Sequence, residues 1–71
     1  MFDYSKLRGR IREICGTDAA FAALLKIDRA TLSKKLNNRS DFSQDEIRHA
    51  CVILAIPTSD VASYFFRESV A

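Results

Sequence analysis

Seventy-one residues hold only two cysteines, one histidine, one proline and two glycines. Each shortage excludes something. Two cysteines with no Cys-x-x-Cys pair build no disulfide framework, and one histidine leaves a zinc site short of ligands. Cys15 and Cys51 each fall inside an apolar helical stripe, so both are read as reduced, mostly buried thiols. No apolar run approaches the roughly 20 residues that a membrane span needs. The opening from Met1 to Arg8 has no apolar stretch of the signal-peptide kind. The expectation is a soluble, cytoplasmic protein with no membrane partner. Paired carboxylates and a glycine-rich phosphate loop are missing, and Ser33 and Ser43 have no His or Lys at a recognisable spacing. That predicts no enzyme: no catalytic residues, no metal ligands and no cofactor. A chain this short has no room for two cores, so one domain over residues 1–71 is expected.

What is present is an ordinary globular composition, 48% hydrophobic and 28% charged. The formal net charge of +2 hides an uneven distribution. Residues 26–39 carry Lys26, Arg29, Lys34, Lys35 and Arg39 against Asp28 alone. Residues 40–71 carry Arg48 and Arg67 against Asp41, Asp45, Glu46, Asp60 and Glu68. A basic middle is a candidate phosphate-contacting surface, and the remainder is mildly acidic.

Apolar residues recur at helical spacing almost throughout. Tyr4, Leu7, Ile11 and Ile14 mark a first helix, with Asp3 as cap, Phe2 and Leu7 as a hydrophobic staple and Gly16 as the stop. Thr17 caps a second, short helix with Phe21, Leu24 and Leu25 on its apolar face. Asp28 caps a third, with Leu32 and Leu36 one turn apart and Asn37-Asn38 at its end. Ser43 and Glu46 form a capping box, flanked by the Phe42 and Ile47 staple, for a fourth helix. Its inward stripe is Ile47, Ala50, Cys51 and Leu54, and Ile56-Pro57 ends it. A last helix from Thr58 or Ser59 carries Val61, Ala62, Phe65 and Phe66. No segment alternates long enough for a strand. The prediction is an all-α fold of five short helices.

Residues 17–37 are the informative unit. Two short helices joined only by Lys26-Ile27-Asp28 must cross steeply, as in a helix-turn-helix. Ala22 is small where the helices approach, and Leu32 and Leu36 face inward. At about 100° per residue the outward face of the third helix then carries Arg29, Ala30, Thr31, Ser33, Lys34 and Asn37. These residues are small or hydrogen-bonding, include two cations and no carboxylate, and suit close approach to a major groove. His49 falls outside the stripe of the fourth helix and reads as a surface residue.

The run Thr17-Asp-Ala-Ala-Phe-Ala-Ala-Leu-Leu-Lys-Ile-Asp-Arg-Ala-Thr-Leu-Ser-Lys-Lys-Leu-Asn37 resembles the Cro/cI-type helix-turn-helix of phage regulators. The whole chain is similar to small phage proteins described as Cro-like repressors. The resemblance is carried by Phe2-Asp-Tyr-Ser-Lys-Leu-Arg-Gly-Arg-Ile-Arg-Glu13, Leu32-Ser-Lys-Lys-Leu-Asn37 and Tyr64-Phe-Phe66, and it covers about residues 2–66. It implies a Cro/repressor-like domain that binds double-stranded operator DNA and regulates phage or prophage transcription. In that reading Arg29, Thr31, Ser33 and Lys34 reach base edges beside the small Ala30. Thr17, Lys35, Asn37 and Arg39 hold phosphates, and two copies sit on a near-palindromic site.

Two residues depart from the pattern. Lys26 stands where such motifs often have a turn glycine, and Asp18 stands where they often place a phosphate-binding glutamine. The resemblance also implies an alternative, because some phage proteins of this kind are modulators of repression that bind the partner repressor protein. The acidic tail and Asp18 favour that alternative.

Overall fold

Local capping chemistry sets the starts of two helices, α2 and α4. The computed structural model describes residues 1–70 and contains α1 (Ser5–Cys15), α2 (Asp18–Leu25), α3 (Arg29–Leu36), α4 (Gln44–Ile53), a 3-10 turn (Thr58–Asp60) and α5 (Val61–Phe65). The fold is all-helical. Among the described residues the only extended pairing is a single antiparallel bridge between Phe2 and Glu68. Thr17 caps α2 by accepting the Ala20 N–H at 3.1 Å. At α4 both halves of the capping box form: Glu46 N–H donates to Ser43 Oγ (3.1 Å), and Ser43 N–H donates to Glu46 Oε1 (2.8 Å). Ser43→Ala is expected to lower stability by about 1 kcal/mol; an unshifted urea midpoint would show that the box contributes nothing.

Two expected starts differ. Asp3 does not occupy the cap position of α1, which falls to Tyr4; its carboxylate accepts the Ser5 N–H at 2.9 Å from one residue earlier. Asp28 makes no side-chain bond to α3 and contributes only its extended backbone.

The helix ends share one device. Lys26, Asn38 and Ala55 all have left-handed backbones, at φ 63°, 62° and 52°. In each case the next N–H reaches back five residues: Ile27 to the Ala22 carbonyl, Arg39 to Lys34 and Ile56 to Cys51. This is the six-residue closure that glycine usually serves, made here three times without one. It places the end of α4 at Ile53, three residues before the expected Ile56-Pro57 stop, because the left-handed Ala55 breaks the helix first. Gly16, at φ 85°, ends α1 as expected.

All five helices contribute to one core, whose largest fully buried side chains are Phe21, Phe65, Leu7, Ile11, Leu32 and Leu54. Ile14 is 46% exposed and lies outside the stripe assigned to it. Cys15 and Cys51 are free thiols but only half-buried; burial pushes both above the ordinary 9.0. The arginines of α1 tie the bundle together. Arg8 donates to the Leu36 carbonyl at the end of α3 (3.1 Å), and Arg10 donates to the Leu54 carbonyl after α4 (2.8 Å). A cation on the last carbonyls of a helix is doubly favourable, satisfying an orphan acceptor and the negative end of the helix dipole. On α1 only Arg12 is left without such a contact among its three arginines.

Candidate functional site

The short turn after left-handed Lys26 sets α3 against α2, with Ala22 buried at the approach and Leu32 and Leu36 buried beneath. Arg29, Ala30, Ser33 and Lys34 are exposed along the outward side of α3, and Thr31 is half-buried. Arg39 is exposed just beyond the helix end. This half of the expected face is therefore brought together. The expected phosphate contacts are not all free. The Asn37 amide donates to the Ser33 carbonyl at 2.8 Å, and its oxygen accepts from Arg8 at 3.4 Å. The Thr17 oxygen accepts the capping bond of α2, which leaves its O–H as the group that could donate.

Lys35 is a correction. It is only 7% exposed and points into the protein. Its ammonium donates to the Asp41 carbonyl (2.8 Å), pairs with Glu46 Oε1 (3.0 Å) and lies 5.9 Å from the centre of the Phe42 ring. It holds the loop before α4 and is not available to a phosphate. Burial pushes the Glu46 carboxyl up, but hydrogen bonds from the Ser43 backbone and Lys35, together with the lysine charge, outweigh it and leave its pKa below 4.5.

At the start of α2 a cleft of about 530 Å³ is lined by Arg12, Gly16, Thr17, Asp18, Ala19 and Arg29. Arg12 and Arg29 both line this notch, as a phosphate site would have, but Asp18 lines it too.

A second surface was not expected. Phe2, Tyr4, Phe42, Ile47, Phe65 and Phe66 line a cleft of about 330 Å³, with Asp41 and Gln44 at its edge. It continues over Ile47, Gln44 and Phe66 into a cleft of about 400 Å³ that adds Arg48, Cys51, Thr58 and Val61. Edge-to-face contacts build its floor: Phe2 with Phe66 at 5.7 Å, Tyr4 with Phe42 at 5.5 Å and Phe42 with Phe65 at 5.4 Å. Phe65 is buried, but Phe66, expected in the core, is 50% exposed at the junction of the two clefts. The charged residues that line it are Asp41 in the first cleft and Arg48 in the second, and Arg48 pairs with Asp45 at 2.8 Å. The run Tyr64-Phe65-Phe66 was the available signal, since three consecutive aromatics cannot all face one core from a single helical turn.

These elements define a small all-helical protein whose surface carries a basic helix and an aromatic groove. The chain belongs to the family described as Protein of unknown function (DUF739), whose profile matches residues 1–68. Among solved structures it is similar to the solution structure of the modulator of repression (MOR) of the temperate bacteriophage TP901-1 from Lactococcus lactis. Identity is 38%, the match covers 99% of this chain and 95% of that one, and the TM-score is 0.82. No curated protein matches. No helix among the described residues is long and apolar enough to cross a membrane.

Proposed function

We propose that this chain is a phage modulator of repression that acts by binding the repressor protein of its own phage. The observation that carries this reading is the 38% identity to the TP901-1 modulator over 99% of the chain. The surface supports it: half-exposed Phe66, at the junction of the two aromatic clefts, is the aromatic anchor that protein interfaces favour. In this reading the protein is a binding module and not an enzyme.

The reading expected first, a Cro-like helix-turn-helix repressor on operator DNA, keeps one observation in its favour. Arg29, Ser33, Lys34 and Arg39 form an exposed, carboxylate-free face on and just after α3. Against it stand the burial of Lys35, the internal bonds of Asn37 and the carboxylate of Asp18 in the Arg12–Arg29 notch. Titration of the full chain against the repressor and against the intergenic operator DNA separates the two. The expected result is tight repressor binding, with weak, salt-sensitive and sequence-indifferent DNA binding. Operator-selective binding at ~0.1 M salt without repressor binding would overturn the proposal.

A further inference from the structure

Both edges of the Phe2 backbone are held. On one edge Asp3 N–H donates to the Arg67 carbonyl at 2.7 Å and Ser69 N–H donates to the Met1 carbonyl at 2.9 Å, with Phe2 opposite Glu68. On the other edge one side chain takes the place of a strand. Phe2 N–H donates to Asn38 Oδ1 at 2.8 Å, and Asn38 Nδ2 donates to the Phe2 carbonyl at 2.9 Å. A primary amide carries the donor and the acceptor that this double contact requires, and a carboxylate does not. Asn38 is also the left-handed residue that closes α3, at φ 62°, a conformation asparagine tolerates better than most. One residue therefore both ends α3 and grips a segment 36 positions away in the chain.

The grip bears on the groove. The Phe2 ring meets Phe66 edge-on at 5.7 Å and stands 6.1 Å from Tyr4. Phe66 is half-exposed and lies where the two clefts join, so the Phe2 ring is the wall against which its buried side rests. We infer that Asn38 is the positioning residue of the aromatic groove: by clamping Phe2 it fixes the Phe2–Phe66 pair in the geometry that the partner meets, and it ties the groove to the C-terminal end of α3. This rests on the reading of the groove as the repressor-binding surface. It adds a link between the two faces of the molecule. Asn37, on the outward side of α3, is bonded to Ser33 and Arg8, and its neighbour in the chain holds the groove wall.

Two variants of the full chain test the clamp. Asn38→Gly keeps the left-handed backbone and removes the amide. Asn38→Asp keeps the left-handed preference but sets a second acceptor oxygen against the Phe2 carbonyl. Amide-exchange protection of Phe2 is read in the free protein, and repressor affinity is read by titration. In Asn38→Gly the expected results are loss of Phe2 protection, an unchanged helical spectrum and about tenfold weaker repressor binding. In Asn38→Asp the carboxylate still accepts the Phe2 N–H but repels the Phe2 carbonyl, so Phe2 protection is lowered at neutral pH. It returns on acidification through the ordinary carboxylate range near ~3.9, where the protonated carboxyl again has an O–H to donate. Asn38→Gly shows no such return. Full Phe2 protection in Asn38→Gly, or lost protection with unchanged repressor affinity, would overturn the inference. Failure of the functional reading looks different: the unaltered protein then does not bind repressor, although Phe2 protection still follows residue 38, and the positioning role falls with it.

Discussion

Lys35→Ala is expected to destabilise the protein by about 2–3 kcal/mol, near the lower end for breaking a buried ion pair, since Glu46 keeps some contact with water. The substitution removes the Lys35 bonds to the Asp41 carbonyl and Glu46 and leaves the Glu46 carboxylate without its cation. It also withdraws the ammonium from the Phe42 ring, which packs against Tyr4 and Phe65. Lys35→Met should recover part of the loss, because the apolar stem remains. The pH dependence follows from Glu46. Its folded-state pKa is held below 4.5, so its stabilising contribution is present above that value and disappears as pH falls through the folded value. Urea midpoints measured from pH 7 down to pH ~3 should therefore drop less steeply for Lys35→Ala than for the unaltered chain. A midpoint at pH 7 equal to that of the unaltered protein would return Lys35 to the surface.

Phe66→Ala is expected to weaken repressor binding at least ~30-fold, the size of a 2 kcal/mol interface anchor. The cost to the fold should be small, because half of the ring already faces water. Lys34→Ala is the contrasting variant. It is exposed on the outward side of α3, remote in chemistry from the groove, and should leave repressor affinity within about threefold, as for a rim charge. If α3 instead reads DNA, Lys34→Ala costs about 1–3 kcal/mol on the operator while Phe66→Ala changes nothing there. Isothermal titration of both variants against repressor and operator duplex reads these outcomes directly. Unchanged repressor affinity in Phe66→Ala would remove the groove from the interface.

The five helices and most of their boundaries were legible because their signals are local. Thr17 with Ala20, Ser43 with Glu46 and the φ of Gly16 depend on residues within a turn of one another. Left-handed Lys26 was legible too, as the residue in a glycine's place. Lys35 was not. It lies about 80° from the Leu32–Leu36 direction, on a shoulder whose burial depends on where the loop 37–43 returns, and nothing in α3 encodes that path. The anchoring roles of Arg8 and Arg10 were not legible either, because their acceptors, the Leu36 and Leu54 carbonyls, lie 28 and 44 residues along the chain. The aromatic groove was hidden for the same reason. Its walls come from residues 2–4, 41–51 and 58–66, and they meet only once the chain ends have paired. The fold class was thus readable from neighbours in sequence, while the surfaces that carry function depend on neighbours in space.

The bridge between Phe2 and Glu68 also fixes an order of events during synthesis. Met1–Asp3 are synthesised well before their backbone partners, Arg67–Ser69. Until then the ring of Phe2 has no Phe66 to pack on, and α1 waits for residue 54 before Arg10 finds its carbonyl. Contacts of such long sequence separation cannot form until both of their partners have been made. The nascent polypeptide therefore carries its aromatic surface unassembled until residues 66–69 have been made.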